Sequence, residues 1–332
     1  MLKNESYFEK DKEGNSLPYI DAVALSFIND QHVEFIQLKS GKLDMISGFN
    51  DNDKDELLDQ DGNLQENLKS NFYLQKKPWI NTEYLAFLMD EEFFKTNASP
   101  LAKKQVRQAI SHCIDKYKLI KYVRNGIGKP AYSGLIPLGM PEFNSVKIDG
   151  LEYSIDKAKK LLIEAGFPNG KGLPTIQLKA AEGYRTLCEF IQASCNDIGV
   201  KVDIDLLKGS VLNQHIAQFE ATFYRKSWIA DFPDPINYFQ LFYSKNFHPK
   251  NGLNYTHFKN EAFDNYYELS IKENNEELRY KLAEKSMELN ETVLASAALT
   301  ARELYELAQI SFHAASSPSA AAELAVQFIK SK

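Results

Sequence analysis

Between residues 154 and 235 the apolar period alternates between that of a helix and that of a strand. This alternation restricts the fold more than any other feature of the chain. Ser154 can cap a helix that ends at Gly166, with Ile155, Ala158, Leu161, Leu162 and Ala165 inside. Residues 175–180 alternate as a strand. Residues 182–198 read as a helix with Leu187, Cys188, Ile191 and Cys195 inward, stopped by Gly199. Val200, Val202, Ile204 and Leu206 alternate as the next strand. A short helix from about 210 to 219 then leads into a strand at 221–225. Strand, helix and strand at this spacing predict an α/β fold with a largely parallel sheet and right-handed crossovers.

The last strand delivers Trp228-Ile229-Ala230-Asp231-Phe232-Pro233-Asp234-Pro235 to the carboxyl edge. The prolines Pro233 and Pro235 exclude both helix and central strand, so this is a loop of fixed shape. It places an aromatic and two carboxylates just past a strand end, where open α/β sheets bind ligands. The same residues also fit a tight turn with one core Trp and two solvated carboxylates.

The run from Ser227 to Phe239 resembles the W-x-x-D-x-x-D-P-x-N-[FY] signature of the peptide-binding proteins of ABC importers, the fifth family of extracellular solute-binding proteins. Three further pieces follow the family's order. Val106-Arg107-Gln108-Ala109-Ile110, Ile114-Asp115-Lys116 and Gly126-x-Gly128-x-Pro130-Ala131 resemble its v-R-q-A-i…i-D-r…G-x-g-x-P-a block. The segment from Ala158 to Phe167 resembles its A-x-x-L-L-x-e-A-G-[yf] helix. Ile198-Gly199-Val200-Lys201-Val202 resembles its i-G-i-x-v strand entry. The resemblance covers residues 1 to about 290.

It implies a periplasmic-binding-protein-like (type II) architecture of two lobes with an incomplete N-terminal lobe. Residues 1–91 would be the remainder of lobe I, 92–290 the ligand-binding lobe II, and 291–332 an Ala-rich helical tail. The first residues resemble an interior segment of the family, so its export signal and most of its first lobe would precede them. The implied function is the extracytoplasmic, periplasmic or lipid-anchored, solute-binding component of an ABC importer. It would hold a peptide between the lobes and present it to a membrane permease. A non-peptide solute (a metal chelate, haem or an oligosaccharide) and a remnant that binds nothing are the alternatives.

A peptide's α-ammonium in a closed cleft must meet a fixed carboxylate, because an unpaired buried charge is costly. The resemblance assigns that role to Asp231. Trp228 would give a flat wall for side chains. Pro233, Asp234 and Pro235 would shape the turn. Arg225 matches a position that in some oligopeptide binders clamps the ligand's carboxylate; the bland alternative is a surface arginine. Strand edges would hold an extended peptide by its backbone.

Other chemistry finds little support. The formal charge of −6 comes with no basic run, which argues against nucleic acid. No P-loop, Rossmann fingerprint, nucleophile elbow or HExxH helix is present, and the six histidines are scattered singly, so we expect neither an enzyme, a metal site nor a cofactor. The acidic run at 51–56 lacks the Gly and Glu that an EF-hand needs and reads as a solvated helix start. Cys188 and Cys195 lie about 10 Å apart along one helix, out of bridging reach, and all three cysteines read as small buried hydrophobes. Met1 to Phe8 is charged at once and lacks the apolar core of a signal peptide.

Elsewhere, residues 19–28 and 43–46 read as strands around a helix capped by Asp30, whose apolar positions are Val33, Phe35, Ile36 and Leu38. Strands are expected at 72–74 and 84–88, with a lobe crossing near Asp90. A helix over 101–124 would bury Val106, Ala109, Ile110, Cys113, Ile114 and Tyr117 and expose His112, with Arg107 and Asp115 in ion pairs. A long loop spans 125–150. A strand-like return at 254–258 precedes helices at 260–272 and 275–290. The capping box Thr300-Ala301-Arg302-Glu303 and the pair Ser317-Pro318 would each start a helix.

Overall fold

The computed structural model describes residues 1–49, 53–131, 135–137, 140, 152–248, 252–289 and 298–309. These fall into two compact units. The first holds residues 1–49, 53–57, 63–76 and 305–309; the second holds 58–62 and the described residues from 77 to 304. The expected division at residue 91 therefore lies inside the second unit.

In the first unit, α1 (Gln31–Lys39) forms where its cap predicts. The Asp30 carboxylate accepts from the backbone N–H groups of His32 and Val33 at 2.8 and 3.2 Å. Phe35 and Leu38 are buried, whereas Val33 and Ile36 are exposed. Strand β1 (Met45–Ser47) follows. Residues 19–28 are not a strand. Only Ala22 bridges another segment, opposite Leu2, and Leu25 and Phe27 are exposed. Alternation specifies a face, but a strand exists only where a ladder partner satisfies its backbone. Asp53 is buried against Nδ1 of His32 at 2.6 Å, and Lys54 is buried too, so this part of the acidic run is not the solvated start expected. Residues 50–52 lie outside the described set.

Strand β2 (Phe72–Phe87) replaces two expected strands with one. In the second unit, α2 (Glu91–Thr96) is capped by Asp90, which accepts from the Phe93 N–H at 2.8 Å. The helix expected over 101–124 is broken. Its main piece is α3 (Lys104–Cys113), after which Ile114 and Asp115 are extended and the Asp115 carboxylate caps a new turn through the Lys118 N–H. The break resets the helical phase and leaves Tyr117 60% exposed instead of buried. His112 is the opposite correction. It is buried, because the chain near Glu152 covers it and the Glu152 carbonyl stands 2.7 Å from Nδ1. Arg107 is likewise buried and donates to the carbonyls of Leu101 and Ala102.

The alternating region folds as read. Helix α4 (Ile155–Glu164) is capped by Ser154, and β3 (Ile176–Ala181), α5 (Arg185–Asn196), β4 (Val202–Leu207), α6 (Gly209–Ala217) and β5 (Phe223–Ile229) follow. Gly199 at φ +84° ends the α5 turn where a Cβ would sit 2.1 Å from the Asn169 carbonyl oxygen, so only glycine fits. Strand β3 runs parallel to β4 on one side and to β5 on the other; β5 pairs antiparallel with β2, from Asn81 opposite Ile229 to Phe87 opposite Phe223. The order is β2-β5-β3-β4.

Period two then divides this sheet into two apolar layers. Leu85, Phe87, Leu178, Ala180 and Phe223 face α3, α4 and α5. Phe87 and Phe223 stack with centroids 4.7 Å apart, worth about 0.5–1.5 kcal/mol beyond their area burial. Tyr84, Ala86 and Tyr224 face the other way, against α6 and three later helices: α7 (Ile236–Phe239), α8 (Glu261–Ser270) and α9 (Glu276–Leu289).

Two late expectations fail. Residues 254–258 form no strand beyond one bridge between Phe247 and Asn254. The segment is instead held by His257, whose Nδ1 lies 3.0 Å from Asp90 Oδ2 and whose ring stacks on Phe247. Residues 298–309 are strand β6 (Ala298–Gln309), not a helix. Ser47, Ile46 and Met45 pair antiparallel with Glu306, Leu307 and Ala308, and Lys129–Pro130 pair with Ala301 and Thr300. Sheet pairing with distant partners here overrides a local capping signal. The helix expected from Ser317 lies outside the described residues.

Candidate functional site

Strand β5 extends further than the sequence pattern predicts and carries Trp228 itself; the loop begins at Ala230. Both ends of this loop are fixed by burial, Ala230 on one side and Tyr238 and Phe239 on the other. Between them Asp231, Phe232 and Pro233 are exposed.

Asn237 ties the arrangement together. Its Oδ1 accepts from Nε1 of Trp228 at 2.7 Å, and its Nδ2 donates to Oδ2 of Asp231 at 3.5 Å. The indole is thereby locked while its ring stays half-buried, and the Asp231 carboxylate is held loosely beside it with most of its acceptor capacity open. Asp234 shapes the turn. Oδ1 accepts from the Ile236 N–H at 2.9 Å, and Oδ2 meets Nη2 of Arg279 at 3.0 Å. The fold thus brings together Trp228, Asp231, Pro233, Asp234 and Pro235.

Arg225 is elsewhere. Three residues before Trp228 on β5, it points to the opposite face of the sheet. It is buried, not a surface residue. Nη2 meets Glu83 Oε1 at 2.5 Å, and the guanidinium lies 3.5 Å from the centroid of the Tyr184 ring. Glu83 also holds Arg124 through its other oxygen. On Trp228's own face lies Lys226. It donates to Asn213 at 2.8 Å, and its ammonium sits 4.1 Å over the Tyr255 ring. Burial, with help from neighbouring Arg225, pulls its pKa down to about 8.

Reading the residues one at a time missed Asn237, although it stands as the Asn of the motif. Arg279 carried no local signal. Among the described residues no cluster of His, Cys, Asp and Glu is arranged to hold a metal ion, and no helix is long and apolar enough to cross a membrane.

Residues 1–249 match the model of the bacterial extracellular solute-binding proteins, family 5. The chain belongs to that family. Among its family 5 relatives, the oligopeptide-binding protein OppA of Bacillus subtilis is 26% identical over 297 residues, which are 86% of this chain and 50% of OppA. The haem-binding protein A of Haemophilus influenzae is 28% identical over 79% of this chain and 45% of its own length. The structure of the Helicobacter pylori periplasmic binding protein DppA with the peptide STSA superposes with a TM-score of 0.74 over 93% of this chain and 55% of that one, at 23% identity. This family 5 chain therefore spans about half the length of the relatives it matches.

Proposed function

We propose that the protein acts as the extracytoplasmic solute-binding component of an ABC importer, that its solute is a peptide, and that it binds rather than transforms it. The observation that carries the reading is the exposed Asp231 carboxylate beside the locked indole of Trp228, at the end of β5, in the family's motif positions. A peptide's α-ammonium would pair with Asp231, and its side chain would lie along the Trp228 ring. The turn fixes the backbone that carries Asp231, so its loosely held carboxylate needs only a side-chain adjustment to meet the ammonium. Relatives described as binding oligopeptides and dipeptides support the choice of solute. The partner would be the importer's permease, which reads the ligand-loaded form.

Calorimetry with Ala-Ala-Ala and with its N-acetylated form tests this. The free peptide should bind at least about a hundredfold more tightly, since acetylation leaves the carboxylate without its charge partner. In Asp231→Asn the two peptides should bind alike. Equal binding of both peptides to the unaltered protein would overturn the ammonium reading.

A further inference from the structure

The loop is gripped from a second direction by a residue far away in sequence. Arg279 stands in the first turn of α9, where Tyr280 is buried and Ala283 joins the apolar layer. Its Nη2 lies 3.0 Å from Asp234 Oδ2. The two side chains are only 25% and 15% exposed, so this pair is better shielded than an ordinary surface salt bridge. Glu276 approaches only to 3.9 Å, and the guanidinium lies 5.5 Å from the Tyr280 ring centroid. Nε of Arg279 is buried without a hydrogen-bond partner, and the contact with Asp234 is shorter than the one with Glu276.

Asp234 passes that grip on. One carboxylate oxygen faces Arg279 and the other accepts from the Ile236 N–H. Its carbonyl accepts from the Asn237 N–H at 3.0 Å. The Asn237 side chain in turn holds Trp228 and Asp231. An unbroken chain of polar contacts therefore runs from α9 to the ligand-facing groups.

We propose that Arg279 is a positioning residue of the peptide site: by fixing Asp234 it sets, through Asn237, where the Asp231 carboxylate stands. The inference rests on the reading of Asp231 as the ammonium anchor. A site of this kind tolerates displacements of only about half an ångström. Losing the clamp should therefore weaken the ammonium contact selectively and leave contacts made by the rest of the peptide.

The test reads the ratio of affinities for Ala-Ala-Ala and its N-acetylated form, which a purely stabilising role would leave unchanged. Arg279→Met should reduce that ratio about tenfold, as a coupled contact does when its partner is lost. Arg279→Lys, which keeps the charge but not the fork, should restore part of it. Should Arg279→Met not fold, Asp234→Asn tests the same link and should lower the ratio similarly. An unaltered ratio in these variants, with the ratio high in the parent protein, would overturn the inference while leaving Asp231 as the anchor. A ratio near one in the parent would overturn the anchor and the inference together.

Discussion

Arg225 and Trp228, three residues apart on β5, project from opposite faces of the sheet. The strand's period of two forces this, and the partners confirm it. Arg225 meets Glu83, diagonal to it across the β2–β5 ladder, while Trp228 bonds to Asn237 after the loop. The two therefore belong to different sites. Arg225 completes a buried charge cluster behind the sheet, and Trp228, on the other face, is tied to Asn237.

That cluster makes Glu83 a stability residue. It is fully buried and faces both Arg124 and Arg225. Replacing it with Gln keeps the volume but leaves two buried guanidiniums without their counter-charge, at a cost of roughly 3–5 kcal/mol. Urea unfolding should show the midpoint falling accordingly. A loss below about 1 kcal/mol would mean that solvent or another acceptor already neutralises the pair.

Lys116 gives the fold a pH dependence. The side chain is completely buried, its ammonium donates to the Ala131 carbonyl at 2.9 Å, and burial pulls its pKa down to about 7. Unfolded, the amine keeps its ordinary value of about 10.4. Between those values the unfolded chain binds more protons than the folded one, so stability rises with pH. Below about 7 both states are charged and the burial penalty is fully felt. Lys116→Met should remove this term. The stability difference between parent and variant should shrink as pH rises from 7 to about 10. A difference that is flat with pH would show that Lys116 titrates alike in both states.

The three cysteines should be silent in the native protein. All are buried, Cys113 and Cys195 have their sulfurs 3.9 Å apart, and burial pushes the Cys188 thiol up to about 12. Only a thiolate attacks a disulfide reagent, so such a reagent should find no reactive group at pH 8 until denaturant is added, and then three. Prompt labelling of even one native thiol would show that the α3–α5 packing opens readily.

The central helices and strands were legible in the sequence because their signals are local and agree with their tertiary setting. Ser154 and Asp30 cap where expected, and Leu187, Cys188, Ile191 and Cys195 form the buried stripe of α5. What was not legible depends on partners. Residues 298–309 carry a helix-start signal but pair as strand β6, and residues 19–28 alternate yet find no ladder. Tyr117 lost its phase to a helix break at Ile114–Asp115, a two-residue event that periodicity averages away. In the site, the stiff turn at Asp234 followed from its flanking prolines, whereas only the family resemblance pointed to Asp231. The face of Arg225 did not, because it required knowing that the strand continues to Ile229. Arg279 enters only through the packing of α9, which no local pattern announces.

Asn237 is the residue on which the loop's geometry turns, and its contribution can be isolated. It is 1% exposed, and its amide links Trp228 Nε1 at 2.7 Å to Asp231. Asn237→Ala removes the acceptor and leaves the indole N–H without its partner, which costs about 1–3 kcal/mol of stability. Trp228→Phe removes the donor and leaves the amide oxygen unpaired, again at a cost. Because the two substitutions break one shared bond, the double variant should be less destabilised than the sum of the two, by about 0.5–1.5 kcal/mol. Urea unfolding of the four proteins measures that coupling directly. Strict additivity would show that the two side chains act independently. The rigidity of the loop would then rest on its prolines and on the Asp234 turn alone.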